Sequence, residues 1–138
     1  MTDYLDAAKR HRSDADLLNK HQRWPNADQL CGLAAECALK AVMAAIGMPL
    51  RNDGAPHEKH HRVHIERFWD IFVTFAEGRG YSEYAALLGD VNLFADWSVE
   101  QRYHATASIK PETVVRHRTG MEMAWGVVAF AKIDGRLP

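Results

Sequence analysis

The chain has little sulfur chemistry to offer: its only cysteines are Cys31 and Cys37, six residues apart. On one helix they point in different directions and stand too far apart to bond each other. With no second pair, a disulfide framework and a zinc ribbon are both excluded. The two thiols are read as small buried apolar residues of a protein in a reducing cytoplasm. No apolar run approaches the roughly 20 residues a membrane span requires. The opening Met1 to Asp6 has no basic stretch leading into an apolar run, so no secretory signal is expected there. An excess of one charge is missing as well. Seventeen Lys and Arg stand against eighteen Asp and Glu, a formal net charge of -1. A nucleic acid would therefore be held by a local basic face and not by the overall field. Alternating β patterns, internal repeats, Gly-rich phosphate loops and G-x-S-x-G elbows are all absent.

What is there is helical spacing. The 138 residues suffice for one domain, and 47% hydrophobic with 25% charged residues is the balance of a folded globular chain. From Asp3 to about His21, Leu5, Ala8, Ala15 and Leu18 alternate with charge, as in a helix buried on one face. Trp24-Pro25-Asn26 reads as a break, with Asn26 capping a second helix from about Ala27 to Ile46. That segment is apolar on nearly every side, so it is expected at the centre, with small residues allowing close neighbours. Gly47 ends it, and Met48 to Pro56 is loop chemistry. A third helix is expected from the histidine cluster to Glu77, with Ile65, Phe68, Trp69, Phe72, Phe75 and Ala76 on its apolar face. Between Tyr81 and Ala107, broken by Gly89, the pattern predicts one or two brief helices carrying Leu87, Leu88, Leu93, Phe94 and Trp97. A last helix starts at Pro111-Glu112 and runs to about Lys132, with Val114, His117, Met121, Ala124, Val128 and Ala131 in one stripe. Gly120 and Gly126 are read as positions of close packing. The expected fold is all-α, a compact up-and-down bundle of four to five helices over residues 1–138.

Three groups of residues have chemical potential. His57-Glu58-Lys59-His60-His61 spells H-E-x-x-H, the zinc-protease pattern, but at a helix start and with Lys59 and His60 beside the supposed metal. With His64 it is read as an exposed His-rich turn, and no metal or cofactor is expected. Glu36 and Lys40 are spaced for a helix ion pair inside an apolar helix. They form either a wet edge of that helix or a buried pair that orients another helix or a ligand. Arg102-Tyr103-His104, followed by Arg116, His117 and Arg118, sets guanidinium, phenol and imidazole groups side by side, suited to phosphate and base contacts. The competing reading pairs Arg102 with Asp96 or Glu100 and packs Tyr103 on the bundle. His117, on the apolar stripe, is read as a hydrogen-bonded core residue.

The segment from Ala27 to Met43, an alanine-rich helix with Glu36-x-x-x-Lys40-Ala41, resembles the second helix of HEPN (higher eukaryotes and prokaryotes nucleotide-binding) domains. The Ala15-Asp16-Leu17-Leu18 helix before it and a His-bearing helix after a short loop also fit. The resemblance implies an all-α bundle, often a homodimer, in a family that includes RNA-cleaving toxins, partners of small nucleotidyltransferases and members without demonstrated catalysis. Its RNA-cleaving members carry R-x(4–6)-H. That spacing occurs here once, from Arg51 to His57, in the loop after the second helix. Arg102-Tyr103-His104 is nearer the expected region at a different spacing. The resulting expectation is a nucleotide- or RNA-binding domain, its site lined by Arg102, Tyr103, His104, Arg116, Lys40 and Glu36. A metal-independent endoribonuclease of a toxin–antitoxin pair, with Arg102 and His104 catalytic, and a non-catalytic interaction module are the alternatives.

Overall fold

The computed structural model describes all residues from Met1 to Pro138. Five α-helices follow one another: α1 (Tyr4–Lys20), α2 (Trp24–Ala45), α3 (Ile65–Gly78), α4 (Ser82–Ala86) and α5 (Pro111–Ile133). There is no strand, and the sole β feature is an isolated bridge between Leu50 and Pro56. Asp3 caps α1 through a bond from the Asp6 amide, 3.0 Å long. The α1–α2 connection is only His21 to Arg23, so the chain folds straight back into a helical hairpin.

Helix α2 begins three residues earlier than expected. Pro25 sits in its first turn, where the missing N–H would have no partner anyway, so it starts the helix and does not break it. Asn26 is therefore inside the helix, and the break falls at Gln22, which has a φ of 60°. At the other end the positive φ of Gly47, 116°, ends α2 where the sequence placed the stop.

Helix α3 is shorter than its expected span. His64 is its N-cap, and the preceding histidines lie in a loop with one 3-10 turn, Lys59–His61. His57 and His61 therefore do not share a helical face, and H-E-x-x-H has lost the geometry that would make it a zinc motif. The region after α4 also departs from expectation. Leu88, Leu93 and Phe94 lie in turns and Trp97 in irregular chain just after them, followed by short 3-10 helices at Val99–Tyr103 and Thr106–Ser108.

One hydrophobic cluster draws on all five helices and on these turns. Helix α2 is its axis, packing against α1, α3 and α5. The cover of turns is pinned at two glycine sockets. The Trp97 indole lies on Gly32 and the Phe94 ring on Gly120, where an added Cβ would come within 2.0 Å and 2.6 Å of ring carbons. Gly126 differs: nothing lies within 4 Å of where its Cβ would be, so close packing inside the chain does not explain it. No helix is long and apolar enough to cross a membrane.

Candidate functional site

Two glycine sockets hold Trp97 against α2 and Phe94 against α5, and the surface dips along the segment that follows, up to the start of α5. The dip is a cleft of about 340 Å3, lined among others by Pro25, Asp96, Gln101, His104 and Lys110. Ser98 shapes its wall through a capping box. The hydroxyl accepts from the Glu100 amide at 3.1 Å, and the Gln101 side chain accepts from the Ser98 amide at 3.3 Å. The cleft adjoins the first turn of the 23-residue α5, whose N-terminus carries the positive end of its dipole.

Beneath the cleft runs a buried chain of charges. His117 and Asp28 are fully buried. His117 Nδ1 donates to the two Asp28 oxygens at 2.8 and 2.9 Å, and Nε2 donates to Asp96 Oδ1 at 2.8 Å. A carboxylate at each ring nitrogen requires a proton on both, so the ring is an imidazolium. Burial works to lower its pKa, but the bonds and charges of Asp28 and Asp96 outweigh this and raise it above 6.5. Phe94 stacks on the ring at 5.2 Å, giving the cation a π-face as well.

Asp96 is half-exposed at the cleft and is also gripped by Arg116, with bonds of 2.7 to 3.0 Å. Burial pushes its carboxyl pKa up, yet His117 and Arg116 together hold it below the usual value. Gln101 closes the other side, donating to Asp28 Oδ2 at 2.6 Å. Trp97 Nε1 donates to the Asp28 carbonyl at 3.1 Å. Helix α2, helix α5 and the cleft segment are thus tied at one point, with the charges of Asp28, His117, Asp96 and Arg116 balanced among themselves.

A second polar group lies eight residues further along α2, about 12 Å of helix rise. Glu36 and Lys40 are buried and joined at 2.9 Å, and Glu36 accepts from His64 Nδ1 at 2.9 Å. This is the buried alternative of the two readings of the pair, not the wet edge. Burial alone would raise the Glu36 pKa, but His64 and Lys40 bring it below its ordinary value. The His64 pKa is raised in turn by its bond to Glu36. The Lys40 ammonium lies between the Phe68 and Tyr4 rings at 5.3 and 5.7 Å. Because His64 is the N-cap of α3, this pair fixes where α3 starts against α2.

The structure divides the expected site residues into three places. His104 lines the cleft, and Arg116 reaches the same wall through Asp96. Arg102 instead stacks over Tyr103 at 4.7 Å, and Tyr103 is 72% exposed, so neither pairs with the acids nor packs on the bundle. Glu36 and Lys40 belong to the α3 anchor. Of the histidine cluster, His57 bonds Glu58 at 3.3 Å, the His60 and His61 rings lie 4.0 Å apart, and His64 faces Glu36. No group of three His, Cys, Asp or Glu side chains is arranged to hold a metal ion. Sequence reasoning overlooked Asp28, Gln101 and Lys110. Asp28 carried the one available signal, an acid in the apolar face of the central helix. Comparison with family models, with curated proteins and with solved structures gives no match.

Proposed function

We propose that this protein is a HEPN-like helical domain that binds a phosphate-bearing ligand, a nucleotide or RNA, in the cleft between Asp96, Gln101, His104 and Lys110. The observation that carries this reading is the polarity of the cleft. Lys110 and His104 line it beside the start of α5, while the one carboxylate on its wall, Asp96, is already neutralised by His117 and Arg116. A site so arranged attracts anions, because its lysine is free and its carboxylate is not. The resemblance of Ala27 to Met43 to the second HEPN helix supports the ligand class and carries two partners with it, a second copy of the chain and a small nucleotidyltransferase.

Titration with labelled mononucleotides and a short single-stranded RNA tests the reading. Affinity is expected to fall as salt rises, and Lys110→Ala to weaken binding about tenfold, the loss of one charge-assisted contact of roughly 1.4 kcal/mol. Absence of binding to both probes at low salt overturns the reading. Cleavage of the RNA in metal-free buffer, lost in His104→Ala and in Arg102→Ala, would turn the binder into an endoribonuclease.

A further inference from the structure

The polar cleft has an apolar neighbour. Ile109 lines both the cleft and a second groove, of about 730 Å3, between the end of α1, the start of α2 and the N-terminal half of α5. Residues adjacent in sequence divide between the two. Pro25, Lys110 and Thr113 line the cleft, while Trp24, Pro111 and Val114 line the groove. The two hollows therefore meet at Ile109, polar on one side of that residue and apolar on the other, and one ligand can occupy both.

Trp24 brings to the groove a ring still open to a partner. Of the four tryptophans, Trp69 and Trp97 are buried in the core, and Trp125 lies under Arg12 and Lys132 at 5.0 and 5.7 Å. Trp24 is 41% exposed and lines the groove. The charges on the groove wall are paired within the chain. Glu122 accepts from Arg12 at 2.8 and 3.1 Å, and Arg118 lies 3.6 Å from Asp16. The groove thus suits a neutral, flat body that can lie on an indole. The cleft suits one anion, because Lys110 is its only lysine or arginine and Arg116 is bound to Asp96. A nucleic-acid strand needs a row of free cations along its backbone, and no such row lines either hollow.

We infer that the ligand is a single purine nucleoside monophosphate, with its phosphate beside Lys110 and its base stacked on Trp24 in the groove. The inference rests on the phosphate reading of the cleft and adds to it a base subsite on the far side of Ile109. A purine fits the groove's chemistry because both its faces are apolar and it carries no charge. It also covers more of the indole than a pyrimidine does. Trp24 is thereby the residue that sets specificity, since stacking distinguishes a base from a bare sugar or an alkyl chain joined to the same phosphate.

Calorimetric titration of the full chain with adenosine 5′-monophosphate, ribose 5-phosphate, hexyl phosphate and a short oligoadenylate is the test. Adenosine monophosphate is expected to bind about tenfold more tightly than ribose 5-phosphate or hexyl phosphate, the contribution of one stacked base. Trp24→Ala should bring it down to the affinity of ribose 5-phosphate, with the unfolding midpoint checking that the variant is folded. Bound adenine should also quench tryptophan fluorescence in the parent, and Trp24→Phe, which keeps a ring, should bind the nucleotide without that quench. Equal affinities for adenosine monophosphate and ribose 5-phosphate overturn the base subsite and leave the phosphate cleft standing. Equal affinity for hexyl phosphate overturns the choice of a base, and an oligoadenylate bound more than about tenfold more tightly overturns the single nucleotide. Absence of binding by all the phosphates overturns the reading of the cleft and this inference with it.

Discussion

His117 shows what one residue can hold in place. Both of its nitrogens are used and neither is free to exchange a proton with a ligand, so its work is positional. It keeps Asp96 at the cleft wall and satisfies Asp28, which is buried with no solvent to turn to. Replacing it with leucine leaves the Asp28 carboxylate buried without its counter-charge, a loss of about 3–5 kcal/mol by the usual behaviour of broken buried pairs. Urea unfolding of His117→Leu measures this, and a loss under about 1 kcal/mol would show that Asp28 finds other partners. At this scale the sequence was partly legible. It placed His117 on a buried stripe and expected a hydrogen bond. It could not name the partners, because Asp28 and Asp96 lie 89 and 21 residues away.

At the scale of elements, the cleft segment owes its position to ring-on-glycine packing more than to its own helices, which are one turn long. Trp97 is seated on Gly32 with its indole nitrogen bonded to the Asp28 carbonyl. Gly32→Ala puts a methyl group 2.0 Å from the indole and forces the ring out. We expect a destabilisation of about 1–3 kcal/mol from overpacking, together with weaker ligand binding as Gln101 moves with Trp97. Equal unfolding midpoints for Gly32→Ala and the parent would show that the socket has slack. Periodicity foresaw α1, the end of α2 and the apolar face of α3, since each depends on contacts repeated every turn. It misjudged the start of α3 because histidines are compatible with a helix, and what ends the helix there is the bond from His64 to Glu36. It likewise took Pro25 as a break, whereas a first-turn proline costs no hydrogen bond.

For the whole molecule, the titrating groups combine into one stability profile. His117 and His64 have raised pKa values in the fold, so what they contribute is complete below about pH 6.5 and is lost as pH rises through those raised values. The Cys31, Cys37, Tyr4 and Tyr84 values, pushed to about 12 chiefly by burial, add losses in the same direction at higher pH. On the acid side, burial lowers the values of His11 and His61, whose contribution is lost as pH falls below about 6.5. Glu36 and Asp96, also lowered, add to the loss further down. Stability to urea is therefore expected to peak at about pH 6–7 and fall on both sides. His117→Leu should flatten the first part of the alkaline fall. A profile level from pH 6.5 to 9 would contradict the imidazolium assignment.

Composition and spacing alone determined that this chain is all-helical, that α2 is its axis and that α5 buries the stripe containing His117, since each follows from apolar residues recurring at the helical period. Only the tertiary structure decided which polar residues share a site. It separated Lys40 and Glu36 from His104, turned Arg102 away onto Tyr103, and brought Asp28, Asp96 and His117 together. Pairing of charges across distant segments depends on how helices and turns are stacked in space, and a pattern repeated every three to four residues carries no record of that stacking.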